Sequence, residues 1–322
     1  MAMIVKYAKD QPEGFTNRIE KANGQIGSVW TEYLLKRGKH VLTAITRHDS
    51  TKTFPEGLKV ARVSYSGNDG TELAEALRGQ QVLIISMSVH APRDTVSKLV
   101  RAAAKADVPY ILPNWFGHDA AKDALCEDSM LKGVRDSITS EIKSLGVSSY
   151  ILLECNFWYE FSLGGGPDRF GFDFNKRTFV VFGDGTHVAA LLSLKELPGD
   201  EADPSPTLSK FRNGCVYISS FRLAQRDMFE SVKRVTGSAD ADWTGIRESA
   251  EQRWCEDRAA LQEGNWKFFT KMLYSRMFFP SGDSDYKGNL HNDLLGLPIE
   301  DLDEATAVGV RMGESGQVPF SH

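Results

Sequence analysis

The chain has 322 residues, 41% hydrophobic and 25% charged, with a formal net charge of −5 at pH 7. That length supports a sizeable core in one large domain or two modest ones, and the acidic balance argues against nucleic acid as main partner, because phosphate binding needs a basic face. No apolar run approaches a membrane span, the N-terminal "MAMIVKYAKDQPEG" has no secretory pattern, and the four cysteines lack the paired spacing of a disulfide frame or metal site.

These features lead us to expect a cytoplasmic protein without metal or membrane partner. In chain order, Met3–Tyr7 is a short apolar run, and "ANGQIG" (Ala22–Gly27) precedes a helical pattern. Ile26, Val29, Trp30, Tyr33 and Leu34 fall on one face of that helix, Lys36 and Arg37 sit in its last turn, and Gly38 closes it. His40–Arg47 is apolar and β-branched, as a buried parallel strand should be. Further strands are expected at Lys59–Ser66, Gln81–Val89, Pro109–Trp115 and Ser148–Trp158, with helices over Thr71–Arg78, Asp94–Ala106 and Ser129–Leu145 between them. Alternating strands and helices imply an α/β fold, a Rossmann-type doubly wound parallel sheet. Beyond Trp158 the rhythm changes to a glycine-rich aromatic stretch with one strand, Thr178–Phe182. Then come a helix candidate in "HVAALLSLKEL", an exposed loop in "ELPGDEADPSPTLSKF" and a strand over 215–221 that returns to the sheet. Helices at "AQRDMFESVKRVTG" and roughly Ser249–Phe278 and an acidic tail region follow. The expected division is 1–158 for the parallel-sheet domain and 159–322 for a smaller α+β region.

Gly24 and Gly27 have the spacing of the last two glycines of a dinucleotide loop, where backbone meets pyrophosphate at a helix N-terminus. Asn23, Gly24, Gln25, Ile26 and Gly27 are therefore candidate phosphate contacts. Upstream, the first glycine position holds Lys21, and "FTNRIEK" is too charged for a central strand. Either Met3–Tyr7 replaces that strand through an irregular loop, or the first strand is missing. Arg47 ends the next strand, where a carboxylate would bind the ribose of NADH and an arginine the 2′-phosphate of NADPH. NADPH is thus favoured over NADH.

These residues resemble the NmrA-like and isoflavone reductase-like family of atypical short-chain dehydrogenases, particularly its fungal members. The resemblance rests on "ANGQIG", "TAITR", "FPEGLKVARVSYS", "ELAEALRGQQVLIIS", "VRAAAKADVPYILPNWFG", "IKSLGVSSYILLECNFWYEF" and "NDLLGLP", in that order. It implies a Rossmann-type domain, a small substrate domain and NADPH, serving either reduction of small phenolic metabolites or nucleotide binding by a non-catalytic regulator. This chain departs from the pattern in lacking the strand and glycine directly before "ANGQIG", and in a shortened stretch after "FGDGT". The helix position where the reductases carry a lysine holds Arg135, with Lys132 one turn earlier. Arginine stays charged near neutrality, so Lys132 takes the lysine's role only if the register shifts.

A Tyr-x-x-x-Lys pair is absent after the sheet. Ser86, Met87 and Ser88 end the strongest strand, where open α/β sheets bind ligands, and His90 follows as a candidate proton donor. Pro113 and Asn114 end the next strand on the cofactor side, while Trp115, Phe116, Phe157 and Trp158 suit an aromatic-lined substrate cleft. The expected function is an NAD(P)H-dependent reductase of a small aromatic or carbonyl-bearing metabolite. The alternatives are a non-catalytic redox-sensing regulator and a cofactor-incompetent truncated relative.

Overall fold

The computed structural model describes residues 2–7, 25–38, 40–65, 70–87, 91–92, 94–192 and 208–316. The chain divides into two compact units, one of Met1–Trp115, Gly133–Leu153 and Glu196–Val216, the other of Phe116–Lys132, Glu154–Lys195 and Tyr217–His322. The division at residue 158 read from sequence falls within the second.

The first unit is built on a sheet whose strands are β1 (Ala2–Tyr7), β2 (His40–Arg47), β3 (Lys59–Val63), β4 (Val82–Ile85), β5 (Tyr110–Leu112) and β6 (Ser149–Glu154). Between them in sequence run α1 (Gln25–Arg37), α2 (Thr71–Leu77), α3 (Thr95–Lys105), α4 (Asp123–Asp128) and α5 (Lys132–Leu145), of which α4 belongs to the second unit. The strand order is β3-β2-β1-β4-β5-β6, and a later strand extends it beside β6. Ala44, Ile45, Leu83 and Ile85 are fully buried, which is why these strands read as continuous apolar runs. Each such side chain contributes about 1.5–3 kcal/mol of burial.

The central strand is present, and it is reversed. β1 is antiparallel to both neighbours: Ala2 lies opposite Ile45 and Ile85, and Tyr7 opposite His40. Of the two sequence expectations, replacement by Met3–Tyr7 holds. An empty slot would strand the backbone donors and acceptors of β2 and β4, whereas antiparallel pairing satisfies them at least as well as parallel pairing would. Because β1 runs backwards, its end points to the edge opposite the start of α1.

Two expectations about helices change. Ser129–Leu145 does not form one helix, because Met130 adopts a left-handed conformation (φ 63°) just beyond α4. The Met130 N–H donates to Glu127 O and the Leu131 N–H to Cys126 O, closing α4 before α5 begins. The "HVAALLSLKEL" segment is not a helix over its described part. Its Ala189, Ala190 and Leu191 are all fully buried, so the run has no polar face and reads as a strand walled on both sides.

The second unit contains β7 (Phe157–Trp158), α6 (Tyr159–Leu163), β8 (Phe172–Asp173), β9 (Thr178–Phe182) and β10 (Ala189–Leu192), and, after β11 (Gly214–Tyr217), nearly all of which belongs to the first unit, β12 (Phe221–Leu223) and α7 (Gln225–Thr236). It continues through β13 (Thr244–Glu248), α8 (Ala250–Gln262), α9 (Phe269–Met277) and α10 (Leu302–Ser315). β11, the returning strand expected at 215–221, borders β6, while β12-β10-β7 and β13-β9-β8 form small sheets. The core is aromatic: Phe172 stacks on Phe179 at 4.3 Å, Phe179 on Phe229 at 5.0 Å, and Trp243 meets Phe172 edge-on at 6.1 Å. The expected acidic tail is mostly helix α10, capped by the Asp301 side chain accepting from the Glu304 N–H. No helix among the described residues is long and apolar enough to cross a membrane.

Candidate functional site

Strand direction decides which residues share an edge. β1 is antiparallel to β2 and to β4, so those two are parallel to each other, with Ile45 and Ile85 level on either side of Ala2. Arg47 and Met87, each two residues further on, therefore lie at the same carboxyl edge of the sheet. Ile84 pairs with Leu112, which brings Pro113 and Asn114 to that edge beside Ser86 and Met87.

Helix α1 completes the edge. Its 13 residues span about 20 Å, comparable to the roughly 23 Å of an eight-residue strand. α1 packs on β2 and joins it through Gly38, whose φ of 62° closes the helix, so its first turn returns to the carboxyl edge. The first-turn N–H groups have no acceptor within the helix. No carboxylate stands in that turn, and Lys36 and Arg37 stand in the last, so the helix dipole is left to favour an anion at its start. Gly27 is buried, and its carbonyl accepts from the buried Thr31 hydroxyl at 2.7 Å.

Arg47 is exposed, with Asp49 at 3.5 Å. Burial pushes the Tyr65 phenol up to about 12, with nearby Arg47 opposing the shift. The rim is braced where Glu72 accepts from the Ser64 N–H at 2.7 Å and meets His48 Nε2 at 3.0 Å. Ser86 and Met87 are half-buried. The Asn114 carboxamide engages the Met87 backbone twice: the Met87 N–H donates to Oδ1 at 3.0 Å, and Nδ2 donates to the Met87 carbonyl at 3.2 Å. Asn23, Gly24, Ser88 and His90 lie outside the described residues, as do the side chains of Gln25 and Ile26.

The remaining candidates are placed differently. Lys132 is the first residue of α5 and faces two exposed carboxylates, Asp123 at 3.8 Å and Glu127 at 3.9 Å. Arg135 is paired with its neighbour Asp136 at 2.7 Å. Trp115 is buried in the first unit and Phe116 is half-buried. In the second unit the Phe157 ring lies 4.0 Å from that of Tyr274, and Trp158 is 5.9 Å from Phe161. Phe157 thus packs against the aromatic core.

The second unit also gathers polar groups that the sequence did not single out. The Tyr217 hydroxyl donates to Asp119 Oδ1 at 2.8 Å, its N–H donates to His291 Nδ1 at 3.1 Å, and the Tyr286 hydroxyl donates to Gly117 O at 3.3 Å. Tyr286 is held well above the ordinary phenol range by burial, and Glu154, Cys155 and Asp119 add to the shift. Between 74 and 169 residues separate these partners in sequence, so no local spacing announces them. Among the described residues no group of three potential metal ligands converges.

Residues 22–132 match the protein family described as NAD(P)H-binding. The chain superposes on a crystal structure of isoflavone reductase with a TM-score of 0.66 at 17% identity, covering 87% of this chain and 94% of that one. Residues 22–132 thus resemble an NAD(P)H-binding domain, and the chain has an isoflavone-reductase-like fold. The Citrobacter sp. triphenylmethane reductase complexed with NADP(H) is similar at a TM-score of 0.62 and 16% identity, covering 90% of this chain and 97% of that chain. Among sequences, oxidoreductase poxI of Penicillium oxalicum is 25% identical over 308 residues, covering 89% of this chain and 91% of its own length. The chain shares a Rossmann-like sheet with these solved structures, and its own β1 runs antiparallel to both neighbours.

Proposed function

We propose that the chain is an NADPH-dependent reductase of a small aromatic or carbonyl-bearing metabolite. The observation that carries this reading is the convergence at one sheet edge of the α1 N-terminus, Arg47, Ser86–Met87 and Asn114. The chemistry of that edge fits a dinucleotide: a helix N-terminus with no carboxylate in its first turn suits a pyrophosphate, and a solvent-facing guanidinium suits a 2′-phosphate. The first turn of α1 would hold the pyrophosphate, Arg47 the 2′-phosphate, and the Ser86–Met87 backbone the nicotinamide side. Bound there, the cofactor would supply hydride.

A nucleotide-sensing protein without catalysis is the second reading. It is favoured by the setting of Lys132, which two surface carboxylates engage, and by Arg135, which cannot exchange a proton near neutrality. Following NADPH oxidation at 340 nm against phenolic and quinone compounds separates the two. Turnover of any member of the panel supports the reductase, and saturable NADPH binding without turnover supports the sensor.

A further inference from the structure

We infer that Arg169, with the rings of Phe161 and Trp158, forms a binding site for the carboxylate of a small aromatic acid. The site is built from residues of the second unit alone, so it stands or falls apart from the reading of the sheet edge as the NADPH site. Arg169 follows α6 across a run of glycines and is only 6% exposed. Its Nη1 donates to the Phe161 carbonyl at 2.7 Å, while Nε and Nη2 meet no acceptor among the described residues. Nor does any carboxylate among them come within ion-pair distance: the neighbouring Asp168 lies instead 3.8 Å from Arg253. The other two buried arginines of this unit are answered fully. Arg253 donates to Glu248 at 2.6 Å, to the Ser275 hydroxyl at 3.0 Å and to the Pro167 carbonyl at 2.7 Å. Arg276 donates to Asp128 and to Asp283, each at 2.7 Å. A buried cation is costly unless an anion faces it, and at Arg169 the chain supplies none.

The surroundings define the ligand. The guanidinium lies over the Phe161 ring, 3.7 Å from its centre, and the Trp158 ring follows 5.9 Å from that of Phe161. Both rings are half-buried, so each keeps some surface for a planar molecule. Gly165 makes room for the arginine, since a Cβ there would run into its Cδ, Nε and Nη1. Nε and Nη2 sit on one side of the guanidinium, spaced for the two oxygens of a carboxylate. Burial pulls the Arg169 pKa below the ordinary guanidinium range, with Tyr274 and Asp168 opposing the shift. With one positive charge and Asp168 close by, the site matches a monoanion; a phosphate dianion would leave buried negative charge uncompensated.

The test titrates the full chain with benzoate, phenylacetate and cinnamate, each beside its primary amide, by calorimetry at fixed pH and ionic strength. At least one acid should bind saturably, and its amide about tenfold more weakly or worse. Arg169→Gln should abolish that preference and leave the affinity for the amide unchanged. Should the variant fail to fold, the Arg169 Nε–H resonance of the wild type decides, because it should shift with the acid and not with the amide. The inference is overturned by an acid panel that does not bind, by an acid bound no better than its amide, or by a folded Arg169→Gln that keeps the preference. An Nε–H resonance indifferent to the acid overturns it too. Inorganic phosphate binding more tightly than every acid, and lost in Arg169→Gln, would assign the guanidinium to a different anion and overturn it equally.

Discussion

Replacing Arg47 with glutamate should exchange the cofactor preference while leaving the fold intact. Arg47 ends β2 with its side chain 72% exposed and a single ion pair, at 3.5 Å, to an equally exposed carboxylate, Asp49. Exposed pairs of this kind contribute about 0–1 kcal/mol, so the melting temperature should move by no more than a few degrees. Against a 2′-phosphate, the loss of a charge-assisted hydrogen bond costs about 1.5–3 kcal/mol. A carboxylate about 5 Å from that phosphate adds roughly 1 kcal/mol of repulsion in a water-like dielectric. Together these amount to a loss of NADPH affinity of about a hundredfold or more, while NADH gains a hydroxyl acceptor. Nicotinamide fluorescence titrations of both variants with both cofactors, at fixed ionic strength, measure the ratio. A folded Arg47→Glu protein with an unchanged NADPH-to-NADH ratio would refute the assignment.

Four further outcomes follow from the geometry. A cysteine pair at Ala2 and Ile85 should form a disulfide, because the two lie opposite each other, whereas Ala2 with Val82 should not; the converse would mean β1 is parallel. Gly164→Ala places a Cβ 2.7 Å from Gly309 O and 3.0 Å from Gly313 N, and Gly313→Ala places one 2.4 Å from the Phe174 ring. Each should lower stability by about 1–3 kcal/mol in chemical denaturation, although alanine is the better helix former by about 1 kcal/mol, so a stabilised Gly313→Ala would contradict the packing of α10 against Phe174. Hydrogen bonds from Arg234 and Ser231 hold the Asp303 carboxyl below its ordinary range. Its contribution to stability is therefore present above the ordinary carboxylate pKa and lost as pH falls through the folded value, so Asp303→Asn should flatten the acid limb of a stability-versus-pH curve. Lys132→Met, which removes only exposed ion pairs, should leave NADPH affinity within twofold in the same titration.

The sheet was largely legible because its strands obey simple rules. Val82–Ile85 is buried throughout and His40–Arg47 is buried at Leu42, Ala44 and Ile45, and such apolar runs stand out in sequence. Direction is another matter: an apolar run such as Met3–Tyr7 identifies a strand without saying which way it runs, and only its pairing with Ile45 and Ile85 shows the reversal. α10 escaped notice because its buried face is Ala305, Thr306, Gly309 and Val310. It packs by close approach of small residues, leaving no stripe of large apolar side chains to read. At the site, Arg47, Met87 and Asn114 could be placed at strand ends from the sequence. Asn114's bonds to Met87 could not, since a side-chain contact across 27 residues leaves no periodic trace.

The central claim is that this carboxyl edge holds the cofactor. Hydrogen exchange with and without saturating NADPH tests it most directly, because it reports where the ligand lies even if no substrate is known. The account expects protection at the first turn of α1, at Arg47 and at Ser86–Met87, with little change in α8 or α9. Saturable binding that protects none of those backbone amides would contradict it.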